Sequence, residues 1–294
     1  MVCERAERRP ARGRRRIRRR ADLAPVALLL PVPQPFSLEL TTARFRAFGL
    51  DRATVWEDKA LFRAVQGREV RIAAADGGVE VEPLDAGTEA VVRKVLGFEF
   101  DLVAFSAWAA GEELLAPLVL RFAGFRPTLA PDPFEMLVGA ITAQQVSLFA
   151  ALAIRNRLVE RFGERVGRVW AFPTRERLAA ASEEELFALG FSRRKAEYVI
   201  GLARSDLDLA ELALLPDDEV KAALTALRGL GEWTADWFLA RHLGRPRAWP
   251  AGDLALRKAV RGIYGDVDVR ATGARFEPFQ NLTAHYLLAQ YLTP

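Results

Sequence analysis

Between residues 26 and 105 the apolar positions alternate with polar ones in short runs. Leu28–Leu30 reads as a first strand. Phe36, Leu38 and Leu40 alternate, Val70 and Ile72 lead up to Asp76-Gly77-Gly78, and Val79 and Val81 alternate beyond it. A period of two on either side of a glycine turn predicts a strand, a tight turn and a returning strand, and hence an antiparallel sheet. Two stretches of helical period, Thr41–Phe48 and Thr88–Leu96, supply apolar faces to pack on it.

After Phe105 the period is helical almost throughout. Asp132 as N-cap and Pro133 as first helical residue open one helix, and the periodic stretch up to Gly163 is too long for one, so it breaks around Gln144–Ser147. Ser182 with Glu185 three positions on is a capping box, Gly190 suits a C′ position, and Ser192 caps the next helix. Asp217 opens a helix ending near Leu227; a second runs from about Glu232 to Leu243, before Gly244; a third starts at Asp253 and reaches about Tyr264. The predicted class is α+β. An arginine-rich tail spans 1–23, an α+β domain 24–105 and an all-α domain 106–294.

Half of the 294 residues are apolar, which supports a substantial core. Cys3 is the only cysteine, so a disulfide framework, a thiolate-held iron–sulfur cluster and a zinc site are all excluded. With His242 and His285 the only histidines, Ser-His-Asp schemes and histidine metal sites are disfavoured. The net charge of +4 conceals an asymmetry: residues 1–20 hold ten arginines against Glu4 and Glu7, which leaves the rest at −4. Binding of nucleic acid must then rest on a local positive face or on the tail as a phosphate anchor; the alternative for Arg12–Arg20 is a disordered extension. The apolar run Ala24–Val32 is interrupted or followed by Pro25, Pro31, Pro33 and Pro35 and falls well short of the roughly twenty residues of a membrane span. The expectation is a cytoplasmic protein without a membrane partner.

The chemistry concentrates in one segment. Gly229-Leu230-Gly231 joins two helical patterns and can present backbone N–H groups to a phosphate, and Asp253 follows Trp233 by twenty positions, with Trp237 and Trp249 between them. Each piece alone also fits an αα-hairpin with a glycine turn and a capping Asp. Together, with the interleaved tryptophans, they point to function.

This block resembles the helix-hairpin-helix DNA glycosylases, and within them the DNA-3-methyladenine glycosylase II family. The resemblance rests on Gly229, Gly231, Trp233, Thr234, Ala235 and Trp237, then Pro250, Asp253 and Leu254. Upstream, Asp132-Pro133-Phe134-Glu135, Ile141 to Ser147, Phe172-Pro173-Thr174 and Lys195-Ala196-Glu197 also fit, so it covers most of residues 30–290. It implies a base-excision enzyme acting as a monomer on double-stranded DNA that carries alkylated bases, associated with the nucleoid. Asp253 would then be the catalytic carboxylate, stabilising the positive charge that builds on the sugar as an N-glycosidic bond breaks.

Trp233 and Trp237 lie four apart on one helical face and read as aromatic walls for a flipped base, where a cationic alkylated purine gains a cation–π term of about 0.5–2 kcal/mol. The same spacing also suits core packing. By resemblance, Gln145 fills the gap left by the flipped nucleotide, Gln144 either contacts DNA or holds the loop, and Ser147, Gly229, Leu230, Gly231 and Thr234 contact DNA. Hairpin carbonyls of Thr225, Leu227 and Leu230 would ligate a structural monovalent cation, and no cofactor is required for the chemistry. Bifunctional relatives resemble Gly-x-Gly-x-Lys at the hairpin, whereas Trp233 stands at the lysine position and neither Lys221 nor Lys258 fits, which predicts a monofunctional enzyme. One departure lies near the C-terminus: relatives read like Pro-Trp-Arg-Ser-Tyr-Ala, and here Pro278-Phe279-Gln280-Asn281-Leu282-Thr283 follows, with the pocket-wall position at about Leu288 and His285 or Tyr286 as compensating groups. The readings set against this one are a non-catalytic module for damaged DNA and a glycosylase for oxidised guanine. Asp253 disfavours the first and Trp233 the second.

Overall fold

The computed structural model describes residues 27–291, so the arginine-rich tail lies outside the described residues. Five strands, β1 (Leu28–Pro31), β2 (Thr54–Glu57), β3 (Ala60–Val65), β4 (Arg68–Ala75) and β5 (Gly78–Glu82), form one antiparallel sheet in the order β1-β5-β4-β3-β2. Leu61, Ile72 and Val81 align across β3, β4 and β5 on one face. That face packs on Val92, Val95 and Leu96, the first two from helix α2 (Ala86–Val95), so the alternation seen in the sequence places one apolar face of the sheet under a helix.

Two expectations are corrected here. Phe36, Leu38 and Leu40 do not form a strand: the Ser37 side chain accepts the Leu40 amide and caps helix α1 (Leu38–Thr42), which ends in a 3-10 turn at Phe45. Helical structure after Phe105 is also interrupted, because β6 (Glu164–Val166) and β7 (Val169–Ala171) form a hairpin. Val169 of β7 is buried against Val55, Phe62 and Ala73, so this hairpin covers the second face of the sheet.

The helices fall into two hydrophobic clusters. One gathers α5 (Pro133–Ala143), α6 (Leu148–Phe162), α7 (Arg175–Ala179), α8 (Glu183–Ala188), α9 (Arg193–Arg204), α10 (Asp217–Thr225) and α11 (Glu232–Arg241). The other joins α3 (Leu102–Ala109) and α4 (Ala116–Arg121) to α12 (Leu254–Tyr264), the short α13 (Val269–Thr272) and α14 (Gln280–Ala289). A division at residues 105/106 therefore falls inside α3, whose Phe105 packs 4.9 Å from the Tyr286 ring. The predicted caps at Asp132, the Ser182–Glu185 box and Ser192 each accept the expected amide, and Ser147, within the predicted break, caps α6 as well. No helix among the described residues is long and apolar enough to cross a membrane.

Candidate active site

The turn between α10 and α11 is fixed by two different glycines. Gly229 has φ +91°, and a Cβ there would lie 2.2 Å from the Tyr198 ring, so both conformation and space require glycine. Gly231 is extended and a Cβ would meet nothing within 4 Å. The amides of Thr234 and Ala235 donate to the Gly231 carbonyl, and that of Leu230 to Leu227 at 3.1 Å. Among the described residues the amides of Gly229, Gly231, Glu232 and Trp233 have no protein acceptor, so the opening of α11 is a free set of donors at the positive end of a helix. The Leu230 and Thr234 side chains are buried and both amides are engaged within the hairpin, while Thr234 lies at the cleft. On the carbonyl side, Thr225 and Leu230 accept no hydrogen bond among the described residues, while Leu227 accepts from Leu230.

The loop Gln144–Ser147 meets this hairpin. Gln144 ends α5 and its Nε2 donates to the Gly229 carbonyl at 2.9 Å, so it ties the two segments together. Gln145 stands exposed at the tip with φ +54°, a left-handed conformation uncommon outside glycine. Ser147 caps α6 through the Ala150 amide. Val146, Leu148 and Phe149 beside it are exposed apolar side chains, as is Leu254 next to Asp253.

Asp253 is held from three sides. Its Oδ1 accepts the Leu256 amide at 3.0 Å as N-cap of α12, and its Oδ2 accepts both the Trp233 and Trp237 indole N–H groups, each at 3.0 Å. Two donors occupy the lone pairs of Oδ2, which leaves one on Oδ1. The spacing of the tryptophans thus serves the carboxylate through their edges. Trp237 does not offer an open indole face: it is 3 % exposed, with the Arg241 guanidinium 3.8 Å over its ring centroid and the His285 ring 6.0 Å away. Trp233 is half-buried and lines the cleft. Trp249 donates to the Val269 carbonyl and packs on Phe276, a structural role.

These residues open onto a cleft of about 1110 Å³. Gly139, Ala140 and Ala143 of α5 are small and make room for it, and Leu288 and His285 of α14 line it as well. Tyr286 does not: it is buried, with its hydroxyl on the Phe125 carbonyl. Asn281, from the divergent C-terminal stretch, donates to the Ala240 and Arg245 carbonyls and pins α14 to the end of α11.

Charge in the cleft was largely invisible in the sequence. Arg63 of β3 and Arg155 of α6 both pair with Glu135 of α5, and Arg155 also reaches Asp51 at 2.5 Å. Burial would raise the Glu135 carboxyl, but the two guanidinium groups override it and hold it low. Arg44 and Arg241 add two more cations. Burial, with Arg44 nearby and despite Asp253, pulls Arg241 down to about 9. Burial, Arg241 and Arg44 push His285 well below the usual imidazole range, so its ring is neutral. Among the described residues no lysine lines the cleft; Lys221 pairs with Asp236 at 2.7 Å, and Lys258 lies 5.9 Å from the ring centroid of Tyr291, which is at the cleft.

Comparison with known proteins falls on the same segment. The model of the HhH-GPD superfamily base excision DNA repair proteins matches residues 138–277, from α5 through the hairpin and Asp253. A DNA-3-methyladenine glycosylase of Bacillus subtilis is 31 % identical over 169 residues, covering 55 % of this chain and 56 % of its own length. The DNA-3-methyladenine glycosylase 2 of Escherichia coli is 36 % identical over 163 residues, covering 54 % and 57 %. The chain thus matches little more than half the length of these two relatives. A solved 3-methyladenine DNA-glycosylase from Archaeoglobus fulgidus superposes with a TM-score of 0.82 at 28 % identity, over 90 % of this chain and 98 % of that one. The hairpin and the carboxylate turn lie within the family-model match, and over residues 138–277 the chain is similar to the HhH-GPD superfamily base excision DNA repair proteins.

Proposed function

We propose that this protein is a monofunctional DNA glycosylase. It flips an alkylated purine, chiefly 3-methyladenine, with 7-methylguanine and deaminated purines as further substrates, out of double-stranded DNA and hydrolyses its N-glycosidic bond, leaving an abasic site. It works as a monomer at the nucleoid in the cytoplasm. The observation that carries this reading is the Asp253 carboxylate, locked by two indoles and an amide at a cleft flanked by free hairpin amides. As the bond to C1′ breaks, its electron pair goes to the base and positive charge builds on the sugar; a fixed carboxylate stabilises that charge more than the ground state. The same group orients the attacking water through the remaining lone pair of Oδ1. Strand cleavage through a Schiff base needs an amine at the sugar, and the absence of lysine from the cleft supports simple hydrolysis.

Gly229 and Gly231 bind one backbone phosphate through their amides, and Gln145 fills the vacated space in the duplex. Ser147 contacts the backbone near the tip, while Gln144 positions the loop. The unengaged carbonyls of Thr225 and Leu230 fit a monovalent cation, with Leu227 as third ligand. Such an ion would add positive charge beneath the bound phosphate. The test is base release from duplexes carrying single defined lesions, with strand breaks scored before and after alkali. The expected result is alkali-dependent breakage at 3-methyladenine; breakage without alkali, or no release from any lesion, would contradict the proposal.

A further inference from the structure

The Arg241 guanidinium lines the cleft beside Asp253, yet it makes no hydrogen bond or ion pair among the described residues, and its Nε is buried without an acceptor. A desolvated guanidinium normally engages its five donors, because an unpaired buried charge costs several kcal/mol. Arg241 instead lies over the Trp237 face. His285, 6 % exposed on the same cleft, differs: its neutral ring donates to the Ala240 carbonyl, so its unpartnered Nε2 is an acceptor. Arg44 is a second cation there, with a single side-chain hydrogen bond, to Thr128. Two guanidinium groups with few or no hydrogen-bond partners thus line the same cleft.

Resting on the glycosylase reading, we infer that Arg241 receives the acceptor edge of the flipped base and so extends excision to neutral purine lesions that bear a carbonyl oxygen or an unalkylated ring nitrogen. In the reaction the C1′–N9 bond breaks with its electron pair on the base, the oxygen of water bonds to C1′, and the proton lost by that water ends on the departed base. A cationic alkylated base approaches neutrality as the bond breaks and leaves unaided. A neutral base approaches an anion, so a guanidinium within hydrogen-bond reach stabilises its transition state strongly. A cation already resting on Trp237 also removes that indole face as an attraction for a cationic base.

The experiment measures single-turnover kcat/KM on duplexes carrying hypoxanthine or 7-methylguanine, for the unaltered protein and for Arg241→Met and Arg241→Lys. It also measures affinity for a duplex carrying an abasic-site analogue, which has no base to read. Removing donors from a transition-state contact should lower hypoxanthine release about 100-fold in Arg241→Met, with partial rescue in Arg241→Lys, and leave 7-methylguanine release within about threefold. Affinity for the abasic duplex should stay unchanged, and the melting temperature of Arg241→Met should not fall, because the substitution removes an unpaired buried charge. Equal losses on both lesions would overturn the inference, as would release of 7-methylguanine alone by the unaltered protein. Weakened abasic-duplex binding would assign Arg241 to a backbone phosphate and overturn it too. Release of neither base by the unaltered protein would instead overturn the glycosylase reading.

Discussion

Asp253 joins a structural role to the chemistry proposed for it. Capping α12 and accepting two indoles places its oxygens before any substrate arrives, and preorganised charge costs no reorganisation during the reaction. The sequence carried the position of Asp253 and both tryptophans, but it suggested ring faces where the structure uses N–H edges. Residue spacing reveals which side of a helix a tryptophan occupies, not its ring orientation. Trp233→Phe keeps the aromatic wall and removes one of the two bonds to Oδ2. We expect single-turnover base release to fall about 10–100-fold, as for the loss of one orienting hydrogen bond, with abasic-duplex affinity within about twofold. An unchanged rate would show that the indole N–H groups do not position the carboxylate.

The hairpin separates two glycines that look equivalent in sequence. Gly229 is required by its backbone conformation and by Tyr198, so Gly229→Ala should cost stability on the order of 1–3 kcal/mol, visible in denaturant unfolding. Gly231 has open space beside it, so Gly231→Val should melt like the parent while losing about tenfold or more in DNA affinity, because the side chain keeps a phosphate away from the amides. Equal unfolding midpoints for the two variants would contradict this account. Much of the architecture at this scale was legible. The caps at Asp132, Ser182 and Ser192 and the strand pair through Asp76-Gly77-Gly78 follow from local chemistry that acts within a few residues. What failed depended on distant partners. The alternation of Phe36, Leu38 and Leu40 yields to a Ser37 cap, and the β6–β7 hairpin exists because the second face of the sheet needs Val169. The Arg63–Glu135–Arg155 network joins residues far apart in the chain, and no local pattern announces it.

At the scale of the whole molecule, buried histidines set the response to acid. His242 is 5 % exposed, with Nδ1 on the Ala130 carbonyl, and burial, with Lys94 close by, lowers it from 6.5 to about 4. His285 shifts in the same direction. Between those values the unfolded chain binds protons that the folded chain refuses, so stability is fully present above about pH 6.5 and declines as the pH falls towards 4. For His242 alone the loss is on the order of 3 kcal/mol. His242→Asn, which retains a donor for Ala130, should flatten the fall in melting temperature between pH 6.5 and 5; parallel curves for the two proteins would contradict the assignment. With a net charge of −4 outside residues 1–20, the proposed binding of DNA by this part of the chain rests on oriented amides and a few arginines more than on net charge.

The central claim is that the Asp253 carboxylate performs the chemistry, and Asp253→Asn addresses it most directly. Asn has a single acceptor oxygen: if it serves the two indoles, its NH2 faces the Leu256 amide, so the variant should lose about 1–2 kcal/mol of stability while remaining folded. The measurement is single-turnover release of an alkylated purine at saturating protein, beside affinity for an abasic-analogue duplex. The account predicts a rate lowered by about 1,000-fold or more with affinity nearly unchanged, since charge is lost and the fold is kept. A rate within about tenfold of the unaltered protein would contradict it.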